Sequence, residues 1–295
     1  MPKSITPIEG WPTGVRAAFT TRGLDCELVK PVLAGSTGRP DAPGAADAAH
    51  NRPDFDGLNL GAHVGDEPNR VQHHRAALEQ AIGAKPLWLN QVHGAEVLQL
   101  DGSDTSIGQD GAAALGSHLP AVDALITNQP GQAASIMAAD CLPVLAATAN
   151  GQWVGAAHAG WRGLAAGVLE NLLGSMMEAQ VHAQAGAQAK DRSLMVWLGP
   201  CIGPQAFEVG AEVLKAFALE PSDALVRPSH RPQHFYLDLA GLAARRLSHW
   251  AQQHQVALDL KTEDQACTWS DPDRYYSHRR AAPCGRMAFL IWREG

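Results

Sequence analysis

Three segments of this 295-residue chain place histidine or cysteine beside glycine, proline or tryptophan. They are Asn90-Gln91-Val92-His93-Gly94, Ala139-Asp140-Cys141-Leu142-Pro143 and His158-Ala159-Gly160-Trp161-Arg162-Gly163. Each adjoins a short apolar run, and the ends of strands hold reactive side chains rigidly while letting them reach a cleft. Two imidazoles and one thiolate form a ligand set that suits zinc. A catalytic zinc typically takes three protein ligands and keeps a fourth position for water or substrate. His93, Cys141 and His158 supply that number. The intervals of 48 and 17 residues between them match no local metal motif, so spacing alone leaves two other readings open. One is a pair of turn histidines and a small buried cysteine. The other is a thiolate activated by histidine for nucleophilic attack.

Other polar groups could complete such a site. Gly160 and Gly163 precede a helix expected over 164–177. Unpaired N–H groups at a helix start, with Arg162 beside them, could hold an anion; an ordinary tight turn is the alternative. The spacing is not that of a P-loop. Gly199-Pro200-Cys201-Ile202-Gly203-Pro204 reads as a turn whose cysteine could face a pocket. Ser277-His278-Arg279-Arg280 and Gly285-Arg286 gather cationic and titratable groups that could hold phosphate by bidentate contacts, or form a salt-bridged loop. Arg22 and Asn59 lie in turn-like segments and could either line a polar pocket or shape the local turns.

The elements that must position these residues follow from apolar periodicity. Strands are expected at 14–22, from 87 toward 93, and at 121–127, 133–137, 143–148, 153–157, 194–198 and 287–292. Helices are expected at 68–82, where Pro68 suits the first turn and Val71, Leu78 and Ile82 share a face, and at 164–177, 211–218 and 237–253. Strands and helices alternate irregularly, with adjacent strand pairs, which predicts a mixed sheet with covering helices rather than a strict doubly wound one. Segments at about 30–54, 101–118 and 179–192 are rich in small and turn-forming residues. They read as surface insertions in one domain spanning 1–295.

Composition narrows the function classes. The chain is 45% hydrophobic and 18% charged, enough apolar material for a core and too little charge for disorder. Its 23 basic and 30 acidic residues leave a net charge of −7, so no nucleic-acid partner is expected. No apolar run approaches the ~20 residues of a membrane span, and Met1 to Gly10 lacks a signal-peptide core. Five cysteines, with no Cys-x-x-Cys pair, argue against a disulfide scaffold and for a cytoplasmic location.

Taken in order, Thr20-Thr21-Arg22-Gly23, Asn59-Leu60-Gly61, His63-Val64-Gly65-Asp66, the three histidine and cysteine segments, Gly199 to Gly203 and Ser277 to Arg280 carry a further message. From about Val15 to Trp292 the chain resembles the YfiH family, also called the laccase-domain or multicopper polyphenol oxidase family. The resemblance implies a single α+β domain with mixed β-sheets flanked by helices, similar to the catalytic domain of cytotoxic necrotising factor. It also implies a zinc site at His93, Cys141 and His158. The implied activity is phosphorolysis of adenosine, inosine and methylthioadenosine, with adenosine deamination beside it. An alternative is a Cys141-dependent amide or peptide hydrolase that edits peptidoglycan precursors. The expected partners are small purine nucleosides and phosphate, with no nucleic acid and no membrane. Arg22, Asn59, Arg162, Gly163 and Arg279 are the candidate substrate and phosphate contacts.

The copper oxidase reading fits the sequence poorly. A multicopper enzyme needs many histidines, often as His-x-His pairs. The chain has 13 histidines and no such pair. One His2Cys set also lacks the weak axial ligand of a blue-copper site. Copper is therefore a weaker expectation than zinc.

Overall fold

Leu142–Thr148 carries no charged residue, and every position is buried. Successive side chains of a strand point to opposite faces, so such a run needs cover on both sides. The structure, a computed structural model describing residues 2–23, 53–101, 121–183, 192–263 and 266–295, provides it. In chain order the strands are β1 (Ile5–Ile8), β2 (Val15–Thr20), β3 (Lys85–Leu87), β4 (Val97–Leu100), β5 (Ala124–Thr127), β6 (Gln132–Ala138), β7 (Leu142–Thr148), β8 (Val154–Ala159), β9 (Ser193–Leu198), β10 (Glu208–Gly210), β11 (Val226–Pro228), β12 (His234–Leu237), β13 (Ala257–Thr262) and β14 (Met287–Arg293). The helices are α1 (Pro68–Ile82), α2 (Trp161–Ala166), α3 (Val168–Ala183), α4 (Ala211–Ala216) and α5 (Leu239–His254).

Among the described residues these strands form three sheets. One is five-stranded in the order β1-β2-β14-β6-β3, one six-stranded in the order β13-β9-β7-β8-β5-β4, and one three-stranded in the order β10-β12-β11. The two large sheets are mixed: β3–β6, β4–β5 and β9–β13 are parallel, and the other pairs antiparallel. The large sheets face each other across a core that holds Phe19, Ile136, Phe289 and Ile291 from one and Leu125, Leu145 and Val154 from the other. Alternate residues serve the outer layers. Val144 and Ala146 turn to a core under α3 and α5, while Leu290 and Trp292 turn to one shared with Leu78 and Ile82 of α1. The result is a layered α+β domain, helix on sheet on sheet on helices.

The helix expected over 68–82 occurs with those bounds. Glu67 caps it, accepting from Asn69 N and Arg70 N, and Gly83 ends it at φ 68°. The helix expected over 164–177 is divided. Gly167, at φ 95°, terminates the six-residue α2, and α3 starts anew at Val168. The strand expected from 87 toward 93 stops at Leu87, leaving His93 in a loop. By contrast β8 runs on to Ala159 and takes His158 inside the sheet. The expected insertions at 30–54, 101–118 and 179–192 lie mostly outside the described residues. Ala179–Ala183 belongs to α3, with Ala179 and Gln180 buried.

Candidate metal centre

His158 sits in the last turn of pleat of β8, 4% exposed, and Cys141 immediately precedes β7, the neighbouring strand. Pairing of Leu142 with Ala159 and Pro143 with His158 brings Cys141 and His158 together. His93 comes from the loop after β3 at φ 62°, in the left-handed region that few non-glycine residues occupy. One ligand atom each from His93, Cys141 and His158 lies within 4.8 Å of the others. Cys141 Sγ is 3.8 Å from His93 Nε2, and the two imidazole rings are 4.8 Å apart at 72°.

Asp123, fully buried at the mouth of β5, organises this cluster. Its Oδ1 accepts from His158 Nδ1 at 2.8 Å and His93 N at 2.9 Å. Oδ2 accepts from Val92 N at 3.0 Å and Gly94 N at 2.6 Å. The His158 bond fixes the tautomer and leaves Nε2 for the cluster, the arrangement by which a carboxylate supports a metal-bound histidine. Burial alone would push the Asp123 carboxyl up. The His158 and backbone N–H bonds outweigh it and hold the carboxyl below its ordinary range. Burial likewise opposes charge on Cys141 and His158, yet their proximity prevails. The two rings hold the thiol down, and Cys141 and Asp123 hold the His158 imidazolium up.

Close packing explains two glycines. A Cβ on Gly160 would lie 2.9 Å from His93 Cδ2 and 3.0 Å from Cys141 Sγ. One on Gly163 would lie 2.7 Å from Gly94 O. Glycine thus lets α2 press against the His93 loop.

Asp140 is the second organiser. At φ 90° it carries a strained backbone directly before Cys141. Its side chain accepts from Thr268 Oγ1 at 2.6 Å, Ser277 Oγ at 3.0 Å and Arg279 N at 2.7 Å. These bonds bring the 277–286 segment to the cluster. The resulting cavity, of about 310 Å³, is lined by His93, Cys141 and His158. His63, His278, Arg279 and Arg286 contribute its basic groups; Trp161, Phe207, Ile202, Met137 and Leu239 contribute apolar surface. Burial and the neighbouring Arg286 and Arg75 hold the His63 imidazolium below its ordinary range.

The other sequence candidates fall in distinct places. Arg279 lines the cavity, its Nη1 donating to Ala206 O and Glu208 O. Arg162 is exposed and lies over the Trp161 ring at 4.4 Å, away from the cavity lining, and Gly163 is buried behind the His93 loop. Arg22 is held by Asp54, by the carbonyls of Asp56 and Pro272, and by the Tyr276 ring. Asn59, fully buried, donates to Asp66 and accepts from Gly61 N and Arg286 N. Neither Arg22 nor Asn59 lines the cavity; Asn59 reaches it through the Arg286 backbone.

A family model described as multi-copper polyphenol oxidoreductase laccase matches residues 47–294. The chain belongs to this laccase family. The YfiH resemblance holds as well. Purine nucleoside phosphorylase YfiH of Escherichia coli is 37% identical over 242 residues, 81% of this chain and 88% of the relative. A purine nucleoside phosphorylase of Pseudomonas aeruginosa is 39% identical over 290 residues, 98% of this chain and 97% of the relative. The crystal structure of a Neisseria meningitidis protein superposes with a TM-score of 0.72 at 31% identity, covering 99% of this chain and 100% of that one. YlmD from Geobacillus stearothermophilus gives 0.69 at 26% identity, covering 96% and 93%.

In this laccase-family chain, His93, Cys141 and His158 are the one metal-competent group of three or more His, Cys, Asp or Glu among the described residues. Met137, the thioether lining the cavity, accepts from Arg75 Nη2 at 3.6 Å. Asp123 lies outside the histidine and cysteine segments. The signal that could have revealed it is a carboxylate at the start of an otherwise apolar run, Ala121 to Ile126, since a charge entering a buried strand needs partners.

Proposed function

We propose that this protein is a zinc-dependent purine nucleoside phosphorylase acting on adenosine, inosine and methylthioadenosine. The observation that carries the reading is the cavity: a three-ligand cluster flanked by a basic rim and an aromatic and aliphatic wall. The activity in the names of the relatives supplies the substrate class. His93, Cys141 and His158 would hold the ion. The donors fit zinc, since two imidazoles and a thiolate are ligands it favours and Asp123 already orients one of them. Zinc held by three protein ligands supplies Lewis-acid polarisation at its remaining position.

Phosphorolysis breaks the glycosidic C–N bond, joins a phosphate oxygen to the anomeric carbon, and sends the electron pair and a proton to the departing base. Arg286 and Arg279 give phosphate its positive surroundings, and His63 and His278, whose charged forms burial and Arg286 disfavour, offer neutral imidazole N–H groups beside them. Trp161 and Phe207 offer flat apolar faces to the purine. Arg162 and Gly163 support this arrangement from behind, through Trp161 and the His93 loop. Adenosine deamination, in which water replaces the amino group of the purine, is a secondary activity of the same cavity.

The test is release of hypoxanthine from inosine by purified protein. Release that depends on phosphate, yields ribose 1-phosphate and accompanies roughly one zinc per chain supports the proposal. Release unchanged without phosphate sinks it.

One observation favours a second reading. Cys141, His158 and Asp123 also form the sequence of thiol, imidazole and carboxylate used by cysteine nucleophiles. An amide or peptide hydrolase editing peptidoglycan precursors would keep its activity after chelation and lose it to iodoacetamide. The phosphorylase would lose activity to the chelator and regain it with zinc.

A further inference from the structure

Cys201 and Cys267 belong neither to the ligand cluster nor to the cavity around it. Their backbones pair as a parallel β-bridge, with Thr268 N donating to Cys201 O at 3.0 Å. Paired residues on neighbouring strands project to the same face about 4.7–4.9 Å apart. That separation lies within the roughly 4.4–6.8 Å between Cα atoms that a disulfide spans. Both residues are free thiols. Cys201 is 5% exposed, whereas Cys267 is half-buried and receives a hydrogen bond from Gly203 N at 3.2 Å. The pair lines a second cavity, of about 710 Å³, whose wall includes Trp269 at 45% exposure and which is therefore open to solvent.

The residues following the two sulfurs converge on one place. Ile202 N donates to Asp140 O at 2.9 Å, and Thr268 Oγ1 donates to Asp140 Oδ1 at 2.6 Å. Asp140 holds its strained φ of 90° immediately before Cys141. Two hydrogen bonds thus join the neighbours of residues 201 and 267 to Asp140, the residue immediately before Cys141.

We propose that Cys201 and Cys267 form a reversible disulfide on exposure to hydrogen peroxide, and that this bond alters metal retention at the neighbouring cluster through Asp140. Cys267, the accessible thiol, attacks peroxide; the O–O bond breaks, leaving a sulfenic acid and one water. The Cys201 sulfur then displaces hydroxide from that sulfenic acid, forming the S–S bond and releasing a second water once the thiol proton is taken up. The two sulfurs are oxidised and both peroxide oxygens end as water. A dithiol reductant reverses the change. The proposal does not depend on the phosphorylase reading.

The experiment treats the metal-loaded full chain with hydrogen peroxide, then denatures it, alkylates it with iodoacetamide and digests it. The expected result is loss of the mass of two hydrogens, no alkyl group on Cys201 or Cys267, and a fragment joining the two that dithiothreitol separates. Alkylation of both residues after peroxide treatment, or a bond from either to Cys141, overturns the proposal. Extraction of metal by a chelator is then timed in the reduced and oxidised chains. A change of about twofold or more, absent in Cys267→Ser, supports the coupling; equal rates in both chains overturn it.

Discussion

Asp123 and Asp140 are both largely buried, and each ties distant segments to the same cluster, but they meet different partners. Both oxygens of Asp123 face nitrogen donors: His158 Nδ1 and His93 N on one, Val92 N and Gly94 N on the other. A backbone N–H cannot reverse its polarity. Of the two oxygens of Asp140, one meets only the Thr268 hydroxyl, which can turn from donor to acceptor. The other receives Ser277 Oγ and Arg279 N. Asp123 therefore needs two acceptors and a negative charge, whereas Asp140 needs one obligatory acceptor and a shape. The first holds the His158 ring and the backbone of the His93 loop; the second positions the basic rim.

The largest expected effect tests the cluster that both residues serve. Cys141→Ala removes the one thiolate of the three and is expected to lose bound zinc and phosphorolysis together. Elemental analysis of the purified variant reads this directly, and full occupancy would remove the ligand assignment and with it the meaning of the comparison. Asp123→Asn comes next. Either amide orientation points N–H groups at N–H groups, and the imidazole loses its charged partner. Metal affinity is expected to fall about 10–100-fold, with a stability loss on the order of 3 kcal/mol for the orphaned donors. Competitive chelator titration and denaturant melts measure the two. An affinity within twofold of the parent chain would place the organising role elsewhere.

These residues also show what the sequence could reveal. α1 was legible because Pro68 and the shared face of Val71, Leu78 and Ile82 agree locally, and β7 because it is an unbroken apolar run. His93, Cys141 and His158 were legible as segments of one order. Asp123 was not, since its four contacts come from residues 29–35 positions away and no local pattern records them. The three-stranded sheet escaped for another reason. Strands of three or four residues, such as β10 and β12, are too short for a period of two to show. The split between α2 and α3 turns on Gly167 alone, and a helical pattern that continues past a glycine looks unbroken. Arg22 and Asn59 read as turn residues that could reach a pocket. Their partners, Asp54, Pro272, Asp66 and Arg286, lie up to 250 residues away and turn them inward.

The rim should separate from the ligand cluster in kinetics. Arg286 lines the cavity, and its backbone is held by Asn59 rather than by any ligand residue. Arg286→Ala is expected to raise the KM for phosphate about tenfold, the equivalent of one charge-assisted hydrogen bond. Zinc content should be unchanged. Loss of zinc in this variant would merge the two regions into one structural unit.

The smallest expected effect is the most discriminating. In Asp140→Asn, the amide oxygen can occupy the position that accepts from Ser277 and Arg279, while the amide nitrogen donates to a rotated Thr268 hydroxyl. Every obligatory donor then keeps an acceptor, so stability is expected to change by less than about 1 kcal/mol and zinc affinity by no more than a fewfold. Asp140→Ala removes both acceptors, leaves Arg279 N without its partner, and should raise the KM for phosphate while destabilising the chain. Thus the same carboxylate-to-amide change should be severe at Asp123 and mild at Asp140. Equal losses of metal affinity in the two amide variants would mean that the negative charge of Asp140, and not its pattern of partners, helps to hold the cation beside it.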